Sequence, residues 1–83
     1  MEETRIALIG IIVENKDSVE RLNAILHDNA EYIVGRMGLP LKEKGINVIS
    51  VVMDAPQNVI SSLSGKIGML DGINSKVIYD RVR

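Results

Sequence analysis

Few side chains in this sequence could do chemistry, and they are scattered. There is one histidine, His27, and no cysteine. A metal site built on His27 would need further ligands from other copies, with Asp28 or Glu31 as oxygen donors, and single-histidine sites are unusual for transition metals. His27 follows Leu26 near the carboxyl end of a helical apolar pattern, where an imidazole complements the helix dipole. Ser64-Gly65-Lys66 is like the tail of a phosphate loop, but the earlier glycine is missing and the segment sits inside a helical pattern instead of before one. The serines have neither an elbow motif nor a neighbouring base to make a nucleophile. Glu14 and Asp54 precede helical patterns, where capping accounts for a carboxylate.

Two places are candidates for holding a small ligand or an intersubunit contact. The loop Glu14 to Ser18, with Asn15 and Asp17, offers helix-start N–H groups to an effector, against the plainer role of capping. Arg36, between Gly35 and Met37 and followed by Gly38, is a cation with small neighbours that could hold an anionic ligand or an oligomer contact, against the plainer role of an edge-strand charge that blocks aggregation. No catalytic set, metal site or cofactor motif emerges, so the expectation is a protein that is not an enzyme and carries no cofactor.

Composition narrows the partners. Ten basic and eleven acidic residues leave a net charge of −1, too little positive field to hold nucleic acid by its phosphates. Tyr32 and Tyr79 are the sole aromatics, too few for a base-stacking platform. The acidic start and the short apolar run Ile6 to Val13 suit neither a secretory signal nor a membrane span, so a cytoplasmic location is expected. A chain of 83 residues is near the size at which one core needs support, and without cysteines or a metal site that support is association.

The elements that must position these residues follow from periodicity. Ile6 to Val13 is apolar and β-branched almost throughout, as in a strand covered on both faces. Val19, Leu22, Ile25 and Leu26 recur at helical spacing, ending near Asn29. Tyr32 to Met37 reads as a second strand, Gly38 to Gly45 as an exposed connection, and Ile46 to Met53 as a third strand. Asp54-Ala-Pro-Gln57 predicts a capped helix start, with Val59, Ile60, Leu63 and Ile67 as its stripe and Gly68 near its end. Asp71-Gly72 turns into a last strand, Ile73 to Tyr79.

Displacing the chain on itself so that Ile6 falls on Ile46 also lays Glu14 on Asp54, Val19 on Val59 and Ile33 on Ile73. Two copies of one βαβ unit predict an α+β, ferredoxin-like βαββαβ sandwich: a four-stranded antiparallel sheet with two helices on one face. No linker divides the chain, so one domain over residues 1–83 is expected.

In such a fold strands one and three are central, and one sheet face is bare. Strand one offers Ile6, Leu8, Gly10 and Ile12 to one side and Ala7, Ile9, Ile11 and Val13 to the other. Strand three offers Ile46, Val48, Ser50 and Val52 against Asn47, Ile49, Val51 and Met53. Neither side is suited to water, so the bare face exposes on the order of several hundred Å² of apolar surface. A homodimer or homotetramer, joined through sheet faces or edges, is expected.

The stretch Gly35-Arg-Met-Gly-Leu-Pro-Leu-Lys-Glu-Lys-Gly-Ile-Asn-Val-Ile-Ser-Val-Val-Met-Asp-Ala-Pro56, with Leu63-Ser-Gly-Lys-Ile-Gly68 and Ile9-Gly-Ile-Ile-Val-Glu14, resembles the family of regulators of the iron-only hydrogenase system. More remotely, the layout looks like ACT domains and the regulatory domain of nickel-responsive repressors, which form dimers or tetramers and bind small effectors between subunits. The resemblance implies an oligomeric regulatory or sensor module that acts through a protein partner or an interfacial small molecule. It does not carry over the ligands. The nickel-binding histidines and cysteine are missing, and Glu14-Asn-Lys-Asp17 lacks the Pro-Gly turn of ACT amino-acid sites. Two rivals stand beside this expectation: a structural assembly domain without ligand, and a small ferredoxin-like enzyme.

Overall fold

The structure is a computed structural model that describes residues 3–81. In chain order it contains β1 (Arg5–Val13), α1 (Val19–Asp28), β2 (Ile33–Leu41), β3 (Ile46–Ala55), α2 (Gln57–Gly68) and β4 (Ile73–Tyr79), with short 3₁₀ turns before and after α1 and between β2 and β3. The strands form one antiparallel sheet in the order β2-β3-β1-β4. This is the ferredoxin-like α+β arrangement expected from the repeated half.

Strict alternation decides which side of each strand meets the helices. Ala7, Ile9, Ile11 and Val13 of β1 and Ile49, Val51, Met53 and Ala55 of β3 are buried. They meet Leu22 and Leu26 of α1 and Ile60, Leu63 and Ile67 of α2, all likewise buried. These residues form one core between the sheet and the helix layer, which leaves the opposite sheet face without cover.

Local chemistry ends the elements. α1 stops at Asn29, whose side-chain amide donates to the Ile25 carbonyl at 2.9 Å while its backbone N–H donates to the Leu26 carbonyl at 3.1 Å. The turn into β3 ends on Gly45 at φ +68°, and the turn into β4 on Gly72 at the same φ, a region glycine enters without steric cost. A Cβ on Gly72 would stand 2.4 Å from the Cβ of Asn15. That close approach lets Glu14 donate its backbone N–H to the Gly72 carbonyl at 2.7 Å, while the Ser18 hydroxyl donates to the Asp71 carbonyl at 2.7 Å.

Three expectations need correction. β2 continues through Pro40 to Leu41, so the segment from Gly38 is strand and not connection. β2 is an edge strand, where a proline's missing N–H costs no ladder bond. Asp54 does not cap α2. It is an exposed residue of β3, which runs on to Ala55, and the cap position falls to Pro56 with no side-chain hydrogen bond. Gln57, freed from a capping box, instead donates to the Tyr79 hydroxyl at 2.9 Å and accepts from Arg5 at 2.7 Å. Glu14 is not a cap either, because Asn15 takes that place.

Candidate interaction face

The bare face of the sheet is built from the alternate residues of all four strands, and the pairing register arranges them in rows. One row runs Gly35–Val52–Leu8–Ile78, the next Met37–Ser50–Gly10–Lys76, the third Leu39–Val48–Ile12–Asn74. Ile6 stands beyond the first row and Ile46 beyond the third. The two outer rows are mainly aliphatic, whereas the middle row is mixed and contains Gly10 and Ser50, the smallest side chains that the central strands turn to this face.

Much of this aliphatic surface is in solvent. Ile6 is 42% exposed, Leu8 39%, Ile12 39%, Met37 67%, Leu39 53% and Ile78 65%. Together with the half-buried Val48 and Val52, these side chains leave roughly 600 Å² of apolar surface on one face. A stable interface takes about 800 Å² from each partner, so the face is of the size a second molecule covers. β2 reaches this face through a bulge between Ile33 and Gly35, in which Val34 is an extra residue. The bulge shifts the alternation, which is why Met37 and Leu39 join Ser50 and Val48 on the bare side.

At the centre, Gly10, Ile12, Val48, Asn74 and Lys76 surround a shallow hollow of about 310 Å³. Gly10 makes it possible: a Cβ built there meets no atom within 4 Å.

The candidate ligand residues are not on this face. Asn15 accepts the Asp17 backbone N–H on its side-chain oxygen at 2.9 Å, and the Asn15 carbonyl accepts the Ser18 N–H at 3.1 Å. With Glu14 bonded to Gly72, the N–H groups of Glu14, Asp17 and Ser18 already have acceptors within the protein. Arg36 lies on the helix side of β2 and donates to the Asn23 side chain of α1 at 3.2 Å. His27 is exposed in the last turn of α1, and Ser64-Gly65-Lys66 is interior to α2. The structure therefore brings none of these together. No group of three or more His, Asp or Glu side chains able to hold a metal ion converges among the described residues. No helix among them is long and apolar enough to cross a membrane.

Lys76, Asn74 and Ile78 were missed in the sequence, although the alternation of β4 shows them opposite Ile73, Ser75, Val77 and Tyr79. Met37 and Leu39 were hidden by the bulge and by the proline.

Residues 5–77 match the TM1266-like family, described as "Iron-only hydrogenase system regulator, putative". The chain belongs to this family. Among solved structures it is similar to TM1266 from Thermotoga maritima, with 29% identity and a TM-score of 0.91 over 95% of this chain and 100% of that one. Two more distant structures share the fold alone. A formyltetrahydrofolate deformylase from Pseudomonas putida KT2440 is 10% identical with a TM-score of 0.64, over 88% of this chain but 28% of the deformylase. The de novo designed protein Foldit4 is 21% identical with a TM-score of 0.60, over 98% of this chain and all of the design. No curated protein sequence matches the chain.

Proposed function

We propose that this protein is a regulatory module of the iron-only hydrogenase system that works in the cytoplasm as a homo-oligomer. Its copies join through the bare sheet face, and it acts by protein contacts or by a small ligand held between copies. It is a binding module, not an enzyme. The observation that carries this reading is the aliphatic face, with Leu8, Ile12, Met37, Leu39 and Ile78 all open to solvent in one copy. The occupant is a second copy for two reasons. The exposed area approaches what one side of a stable dimer contributes. A chain this short also gains from its own copy the support that a single small core lacks.

The test is sedimentation velocity across protein concentration. The expected result is a dimer or tetramer at micromolar concentration, and a folded monomer throughout would overturn the proposal. A thermal-shift screen with amino acids, nucleotides, divalent metals and hydrogenase maturation intermediates then separates a sensor from a plain assembly module, because a ligand that prefers the folded state raises its stability. An oligomer with no response to any compound would favour assembly.

A further inference from the structure

Gly10 has no explanation within one chain. It lies in the interior of a central strand, where glycine weakens the strand and usually marks a bulge or a close approach by another molecule. The register is unbroken through it on both sides, so there is no bulge. Its φ is not positive, and a Cβ would meet nothing within 4 Å. An alanine methyl would therefore fit the monomer, so nothing within one chain requires glycine here.

Lys76, its cross-strand neighbour, poses a second question. It stands on the bare face between Asn74 and Ile78, and among the described residues it takes part in no ion pair. Covering that face with another copy removes water from around the ammonium, and a buried charge needs an opposite charge or hydrogen bonds to compensate.

The row Met37–Ser50–Gly10–Lys76 runs between the two aliphatic rows, so it is the midline of the face. A two-fold axis that lies in the face along this row, or at right angles to it, lays the row against the partner's row; for any other in-plane direction the two rows cross at the centre of the face. The hollow beside Gly10 is then roofed over, with one aliphatic wall made by Ile12 and Val48 together and two polar groups, the Lys76 ammonium and the Asn74 amide. Open, as it stands in one copy, the hollow has a volume of about 310 Å³, at the small end of ligand pockets, about 300–1,000 Å³.

Resting on the paired-face reading above, we infer that this hollow binds a small branched aliphatic carboxylate, completed by the second copy. The carboxylate lies on Lys76 Nζ and the Asn74 amide, and the hydrocarbon lies over Gly10 against the side chains of Ile12 and Val48. The bound anion neutralises the lysine that pairing would otherwise leave uncompensated, so ligand and pairing favour each other.

The experiment is a titration of the full chain with isovalerate, followed by backbone amide resonances, with isovaleramide and inorganic phosphate as controls. The oligomeric state is measured in the same samples. Saturable shifts at Gly10, Ile12, Val48 and Lys76 are expected, with isovaleramide at least about tenfold weaker. Lys76→Met weakens isovalerate by roughly 10- to 100-fold, the loss of one charge-assisted hydrogen bond. Gly10→Val, whose Cβ meets no atom of the monomer, abolishes binding by filling the hollow, with circular dichroism to confirm the fold. Isovalerate no better than its amide, or unaffected by Lys76→Met, would overturn the inference and leave Lys76 as an edge-strand guard. Phosphate binding as well as isovalerate would overturn it too, because the aliphatic wall would be irrelevant. A paired protein that binds no isovalerate up to about 10 mM rejects this inference alone, whereas a monomer rejects the paired face and this site with it.

Discussion

Leu8→Asp is the most direct challenge to the paired face. Leu8 lies in the central strand β1 with Val52 and Ile78 on either side, and is 39% exposed. Full burial of a leucine is worth about 1.5–3 kcal/mol, so covering the exposed part contributes about 1 kcal/mol per copy, or about 2 kcal/mol for a symmetric pair. An aspartate is too short to reach solvent past β4, and burying its charge without a partner adds several kcal/mol for each copy. The sum is at least about 5 kcal/mol per dimer, a rise in dissociation constant of more than about a thousandfold. Sedimentation velocity at several concentrations reads this directly, with circular dichroism to confirm that the strand still folds. Leu8→Met, which keeps volume and polarity, is expected to pair as the parent does. A folded Leu8→Asp protein with the parent's dissociation constant would refute the reasoning, since this face would then touch no second copy.

The other predictions concern the fold that presents the face. Gly72→Ala forces an L residue to φ +68° and drives its Cβ into Asn15, so urea unfolding should show a loss of more than about 2 kcal/mol. At Gly10 an added Cβ meets no atom of the monomer, and Gly10→Val adds a β-branched residue to a strand, so a monomeric background such as Leu8→Asp should gain up to about 1 kcal/mol in the same assay. Arg5 donates to Gln57 at 2.7 Å and to the Asp80 carbonyl at 3.0 Å, and lies 4.4 Å from the Tyr79 ring centroid. Because this cluster is partly exposed, Arg5→Ala should cost about 1 kcal/mol, again by urea unfolding. Leu63→Ala, in the fully buried stripe of α2, should cost about 2–5 kcal/mol and lower the melting temperature accordingly.

The strand and helix periods of this chain are legible because they arise from burial, and burial acts on each residue at a fixed spacing. Ala7, Ile9, Ile11 and Val13 had to share one side of β1 and Ile6, Leu8 and Ile12 the other, whatever the rest of the molecule did. The match between the halves placed two such strands in the middle of one sheet. With helices for one side only, an apolar bare face followed. The helix starts were less legible. Asn15 caps as its type suggests, but Gln57 had several partners within reach, and only the folded neighbours Arg5 and Tyr79 decided between a capping box and the contacts it makes.

What the sequence determined by itself is therefore the architecture and the presence of a surface poorly suited to water, because both rest on local alternation repeated along the chain. Tertiary structure alone decided which residues compose that surface across strands. The bulge at Val34 changes the phase of β2, and Pro40 is tolerated within β2 because that strand is the edge of the sheet. Pairing register, a property of two distant segments together, brings Gly10 beside Lys76 and so makes a hollow that no single stretch of sequence contains.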